Sequence, residues 1–219
     1  EETAAKMADT SENGTKLYQA PYNETGSFGN SKKKFFGVSG TTNAKIYSDI
    51  QQIIHNPTLS NKTLISLGYV PDIYVALNLI QDKKLDANRA TFRKAYGILT
   101  KAEIKRNLHN HKVPDKVIRN IGNLIADPLM IFESQKIPGR IIALITDCIF
   151  DANHNLISHP VMAVLSPSPN GKGYTLIPSV HDRNNVISMI SNAESKNQIY
   201  YIKNKKIALN RIAYGKNTQ

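Results

Sequence analysis

The hydrophobic positions along the chain change period partway through. Ile46, Ile50, Ile53 and Ile54 recur at helical spacing from Lys45 onward, and His55, Asn56 and Pro57 stop that run. Residues 62–80 mix apolar patches with Gly68, Pro71 and Asp72 and declare no period. Asp86 to Leu99 predicts a helix with Ala90, Phe92, Ala95, Tyr96 and Leu99 on one side. A second helix is expected from Pro114, since a proline at the first helical position gives up only an N–H that would go unpaired there anyway. Val117, Ile118, Ile121 and Leu124 form its inner stripe.

Further on, the period shortens. Leu129 to Glu133 reads as a short strand, Pro138-Gly139 as a turn, and Ile141 to Phe150 as a longer strand. The stretch Asp151 to Asn155 (DANHN) is turn chemistry, and Ile157 to Leu165 follows it as a strand. These three strands predict an antiparallel meander. The loop SPSPNGKG (166–173) leads to a fourth strand at Tyr174 to Ile177. Asp182 to Ser195 predicts a helix with Asp182 as N-cap and Val186, Met189 and Ile190 inward, and Gln198 to Ile202 a last strand. The expected class is α+β: N-terminal helices followed by an antiparallel meander sheet of about four to five strands with one crossing helix. Residues 1–44, rich in Gly, Ser, Thr and Asn, read as a flexible arm or linker, and 45–219 as the domain.

A length of 219 residues with 41% hydrophobic content suffices for one sizeable core. No run of 18 apolar residues suggests a membrane span, and the polar start lacks the apolar stretch of a signal peptide. The chain opens on Glu1 rather than Met, the expectation for a piece of something longer. The single cysteine, Cys148, lies in the apolar run ALITDCIF and reads as a buried structural residue, which suits a reducing compartment. Charge changes the picture more. The net +11 is uneven: residues 1–30 carry five acids and two bases, which leaves +14 on the remainder. That excess favours a polyanionic partner (nucleic acid, an anionic membrane face or an acidic protein), with a solvated basic surface as the plainer reading.

Several segments, in order, resemble the phage MuF C-terminal domain family over roughly residues 60–207. ISLGYVPDIYVALNLI (65–80) is similar to the family's opening, HNHKVPDKVIRNIGNLIADPLMIFES (109–134) to its histidine, helix, proline and strand, and RIIALITDCIFDANHNLISHPVMAVLS (140–166) to its central hairpin. IPSVHDRNNVISMI (177–190) and NQIYYIKNKKI (197–207) resemble its next element and closing strand, and KLYQ (16–19) a short segment that often precedes toxin modules. Lys112 departs from the family, standing where glycine often follows the histidine. The resemblance implies a toxin-like module allied to the barnase–EndoU–colicin–RelE group of metal-independent ribonucleases. It also implies action on RNA in the cytoplasm of a target or host cell, delivery by a phage or secretion system, and an acidic immunity or antitoxin protein as partner.

Cleaving RNA without a metal takes a base for the 2′-hydroxyl, an acid for the leaving oxygen, and cations or hydroxyls around the phosphorane. Histidine titrates near working pH and suits the first two roles. His111, on which the resemblance falls, is the first candidate, read against a helix-flanking histidine that only hydrogen-bonds. The letters H-N-H at 109–111 are too close together for the ββα-metal unit of HNH nucleases. Ser179, His181 and Arg183 alternate in an extended segment and would point the same way. Arg140 and Thr146 share a face of a strand by even spacing and could point at a shared cleft; Thr146 reads equally well as a β-favouring threonine, and Arg140 reads better as an exposed strand end. Arg140 and Lys112 are the expected phosphate contacts. No metal site or cofactor is expected, because neither ligand spacing nor a Walker or Rossmann glycine pattern is present. The expected function is a metal-independent toxin-domain endoribonuclease acting on structured RNA such as tRNA. The alternatives are a non-catalytic nucleic-acid-binding or capsid-associated phage module, or a different enzyme chemistry on the same scaffold.

Overall fold

A computed structural model of the chain describes residues 42–105 and 112–203. The first helix, α1 (Asn43–His55), starts two residues before the expected Lys45 because the Thr42 hydroxyl accepts from the Lys45 amide at 3.3 Å. Its buried stripe is Ile46, Ile50 and Ile54. Its last carbonyls are taken by Arg89, whose guanidinium donates to the carbonyls of Ile53 (2.8 Å), Ile54 (3.2 Å) and Asn56 (2.7 Å) and to Asn61 Oδ1 (3.1 Å).

The unassigned stretch 62–80 resolves into β1 (Leu64–Tyr69) and α2 (Asp72–Ala76). The helix expected over 86–99 is shorter: β2 (Lys84–Asn88) comes first and α3 (Arg89–Ala95) follows directly. Leu85 and Ala87 are buried by strand alternation while Phe92 and Ala95 are buried by helical spacing, so two periods abut without a turn residue to mark the change. After α4 (Lys101–Lys105) come α5 (Asp115–Arg119), which Pro114 precedes as N-cap, and α6 (Ile121–Ala126); Asn120 divides what the stripe predicted as one helix.

The strand β3 (Met130–Glu133) pairs antiparallel with β4 (Ile141–Leu144), as expected. The longer strand to Phe150 is not continuous. After Leu144 the amides of Ile145 (2.9 Å) and Thr146 (3.3 Å) both donate to the Val161 carbonyl, two residues against one. The chain then forms a separate hairpin from β5 (Ile149–Phe150) and β6 (Leu156–Ser158). Its turn is as expected: Asp151 Oδ1 accepts from the amides of Asn153 and Asn155, both at 2.8 Å. Next come β7 (Val161–Ser166), a one-turn 3-10 helix (Pro169–Gly171), β8 (Tyr174–Asp182), α7 (Val186–Ser195) and β9 (Ile199–Ile202).

The class is α+β, but the sheet is larger than expected and mixed. Seven strands run in the order β1-β2-β8-β7-β4-β3-β9, and β2 pairs with β8 in parallel. At nine residues β8 is long enough to hold β7 on one side and β2 on the other, which the sequence, read as a strand ending at Ile177, did not provide for. One face of the sheet is covered along its length: Ile50, Tyr74, Phe92, Ile118 and Ile121 of the helices pack with strand residues such as Ile65, Leu85, Ile131, Ile177 and Val180. On the other face α7 contributes Val186, Ile190 and Ala193 to a cluster with Met130, Phe132, Ile142, Leu144, Met162 and Ile199. That second cluster takes no buried residue from β1, β2 or β8. Among the described residues, half of this face is therefore uncovered, and Leu64 and Ser66 of β1 are exposed on it.

Candidate functional site

The uncovered half-face is built on β8. The pairing of β7 with β8 aligns Met162 with His181 and Val164 with Ser179, then Ser166 with Leu176, so two residues of β8, Ile177 and Pro178, oppose the single Leu165 of β7. A proline lacks the donor that a regular ladder needs, and a bulge is where a strand tolerates one. Met162 belongs to the α7 cluster, and cross-strand partners share a face, so His181, Ser179, Leu176 and Tyr174 lie on the α7 side of the sheet. Val180 and Ile177 point into the opposite, helix-covered core.

Ser179 and His181 meet there, with Oγ 2.7 Å from Nδ1. The sequence placed them together by alternation, and the structure does so within one strand. The Nε2 atom of His181 is buried, so this pair meets solvent through the half-exposed serine. Arg183 lies one step past the end of β8, exposed, and its amide donates to the Pro160 carbonyl at 2.9 Å, one rung beyond the Val161–Asp182 pair. Asp182 is buried opposite Val161 rather than capping a helix, because pairing with β7 carries the strand through residues once assigned to the helix, and α7 is entered from Asn185.

The other expected site residues divide. Arg140 continues the β3–β4 ladder by one step, its carbonyl accepting from the Ser134 amide at 2.8 Å. Alternation with Ile142 and Leu144 puts it on the α7 side, two strands from Leu176 in the row through Ser166. Thr146 is occupied otherwise: its hydroxyl oxygen accepts from the Val161 amide at 3.1 Å and closes the bulge after β4. Lys112 is exposed next to Val113, whose amide donates to Ala95 at the end of α3 at 2.8 Å and whose side chain is in the helix-covered core. It is thus across the sheet from the serine–histidine pair. His111 falls outside the described residues. Cys148 is half-buried, and burial together with Asp147 pushes its thiol up, away from the nucleophilic form.

Sequence reading missed a cleft on this face, of about 330 Å³ and lined by Lys62, Leu64, Asn88, Asn170, Lys172 and Tyr174, with Leu176 and Pro169 completing the wall. Beside it Asp86 pairs across β2 with Leu176; burial pushes its carboxyl above the ordinary range, against the pull of Lys84 and a hydrogen bond from Ser66. The cleft rim is a held loop. Ser168 (φ +38°) and Asn170 (φ +56°) take left-handed backbone that side chains rarely adopt. Asp82 fixes it: Oδ2 accepts from the Ser168 amide (2.7 Å) and the Thr175 hydroxyl (3.0 Å), and Oδ1 from the Ser168 hydroxyl (2.6 Å).

Burial disfavours the Asp82 carboxylate, but these hydrogen bonds outweigh that and hold its carboxyl below the usual range. A depressed folded-state value means that the anchoring is complete above the unfolded carboxyl's range, about 4, and is lost as pH falls through the lower folded value. The amide resonance of Ser168 is therefore expected to titrate below that range, and Asp82→Ala to move it at neutral pH. A Ser168 resonance flat from neutral pH to below pH 3, in a chain that stays folded, would show that the carboxylate does not hold the loop.

A second polar cluster lies on the helix-covered side. Asp115 accepts from Tyr47 (2.8 Å), Tyr96 (2.7 Å) and Arg119 (2.5 Å), and Arg119 stacks 4.2 Å from the Tyr47 ring centre. It ties α5 to α1 and α3. Among the described residues no group of three or more His, Cys, Asp or Glu is placed to hold a metal ion, and no helix is long and apolar enough to cross a membrane.

Residues 102–209 match the family model of the phage MuF C-terminal domain. The stretch 65–80, read from sequence as the family's opening, lies before the matched range. No curated protein matches the chain, and no solved structure does.

Proposed function

We propose, from the premise that the chain carries a phage MuF C-terminal domain over residues 102–209, that this domain is a toxin module cleaving structured RNA such as tRNA without a metal. The observation that supports it is the 2.7 Å contact between Ser179 Oγ and His181 Nδ1 on an uncovered, lysine-rimmed sheet face. With Nε2 buried, Nδ1 works through the serine: the substrate 2′-hydroxyl gives its proton to Ser179 Oγ, which passes its own to Nδ1. The 2′-oxygen then attacks phosphorus and the bond to the 5′-oxygen breaks. The leaving oxygen takes a proton from a second acid or from solvent water. Arg183, just past the end of β8, and Arg140, two strands away on the same side of the sheet, are the cations assigned to the phosphorane. An acidic immunity or antitoxin protein would fit the basic domain, and delivery into a target cell by a phage or secretion system suits the family.

A second reading has its own support. The buried Nε2 and the occupied Thr146 hydroxyl suit a module that holds nucleic acid and does not cut it. Incubating the purified chain with total cellular RNA and excess chelator separates the two. Discrete cleavage products are expected; retarded but intact RNA would establish the binding module instead.

A further inference from the structure

We propose that the cleft beside β8 is a binding subsite for an unpaired stretch of RNA, in which a base stacks on Tyr174 while Lys62 and Lys172 hold the flanking phosphates. The inference rests on the reading of the domain as acting on RNA and names the part of the RNA it takes.

Three observations carry it. The cleft combines a partly exposed aromatic ring, an exposed apolar side chain (Leu64), two lysines and two carboxamides (Asn88, Asn170). That set meets a nucleotide's needs together: a face for the base, cations for the phosphates, and donors and acceptors for base edges or the 2′-hydroxyl. A double helix offers the opposite, with its bases stacked and paired, so the ring selects an unpaired strand. The cleft also opens on the side of the sheet that carries the candidate chemistry. Tyr174, Leu176 and Ser179 follow one another on the same face of β8, and Asn88 of β2 lies in the next strand over. A strand rises about 3.3 Å per residue, so the five residues from Tyr174 to Ser179 span roughly 16 Å less the bulge, a reach of two to three nucleotides. Finally, the rim is preorganised. Left-handed backbone at Ser168 and Asn170, fixed through Asp82, sets Asn170 and Lys172 on the cleft wall before any ligand arrives, so little ordering remains to oppose binding.

The test is fluorescence anisotropy of the full chain with a labelled single-stranded RNA of about ten nucleotides, made uncleavable by 2′-O-methyl groups, and with the same sequence as a duplex. Tyr174→Ser is expected to weaken single-strand binding roughly 5- to 100-fold, the range for loss of one stacked base. Tyr174→Phe, which keeps the ring, should bind as the parent does. Lys62→Ala with Lys172→Ala should flatten the dependence of log affinity on log salt by about 0.7 per lysine. Lys45→Ala with Lys116→Ala, on the helix-covered side, should not. Thermal melts on the same samples identify a variant that fails to fold, and the Tyr174→Phe and lysine variants then decide. Equal affinity of parent and Tyr174→Ser, or tighter binding of duplex than of single strand, overturns the subsite. Loss of binding in the cleft variants of a parent that cuts no RNA leaves the subsite standing and removes the enzyme. Cleavage of total RNA by cleft variants at the parental rate, with unchanged binding, does the reverse.

Discussion

His181→Ala is expected to slow RNA cleavage by about 10²–10⁴-fold, the usual cost of losing a general base. Ser179→Ala should cost a similar factor if, as proposed, the proton reaches Nδ1 through the serine hydroxyl, Nε2 being buried. Groups that act as one unit do not add, so the double variant should be scarcely slower than either single one. Ser179→Thr keeps the hydroxyl and should restore part of the rate. Rates and thermal midpoints are measured on the same preparations. A folded His181→Ala protein that cleaves at the parental rate would take the pair out of the mechanism. If it also bound RNA normally, the strand would be a binding element.

A fragment beginning at residue 102, where the family match begins, is expected not to fold. It lacks α1, β1, β2 and α3, and with them Ile46, Ile50, Ile54, Ile65, Leu67, Leu85 and Phe92, each at most 1% exposed. Burying one such side chain contributes about 1.5–3 kcal/mol, so losing seven removes as much as the roughly 5–15 kcal/mol by which a whole domain is stable. It also strips β8 of its parallel partner and leaves the strand carrying Ser179 and His181 as an open edge. The fragment should collect as aggregate or give the circular dichroism of an unfolded chain, whereas residues 42–219 should melt cooperatively near the midpoint of the full chain. A fragment from 102 with the full chain's melting behaviour would contradict a single continuous core.

The elements that sequence reading found are those whose period stands clear of its neighbours. The isoleucine stripe of α1, the pairing of β3 with β4 and the DANHN turn each carry one unmixed signal. The missed β2 carries two apolar residues in five and runs straight into α3, so helical spacing absorbed it. The continuation of β8 past Ile177 was hidden by Pro178, which reads as a strand end until the bulge opposite β7 is known. Parallel pairing of β2 with β8 is invisible to local pattern, since it joins segments far apart in the chain. Ser179 and His181 were legible because alternation in one strand is a local property. The cleft was not, because Lys62 and Lys172 converge from two connections on Asn88 at the end of β2. The separation of Lys112 from the pair depends on which side of the sheet α5 packs, which only tertiary structure decides.

The parallel ladder between β2 and β8 sets the order in which the domain can assemble. Lys84 and Tyr174 are neighbours across strands yet lie some 90 residues apart in the chain. During synthesis the β1–β2 hairpin leaves the ribosome long before its partner exists, and closing so long a loop costs entropy before any contact repays it. The strand that carries the serine–histidine pair is among the last pieces to dock. Chains cut short before β8 by premature termination or by proteases therefore lack the strand on which the candidate site is built.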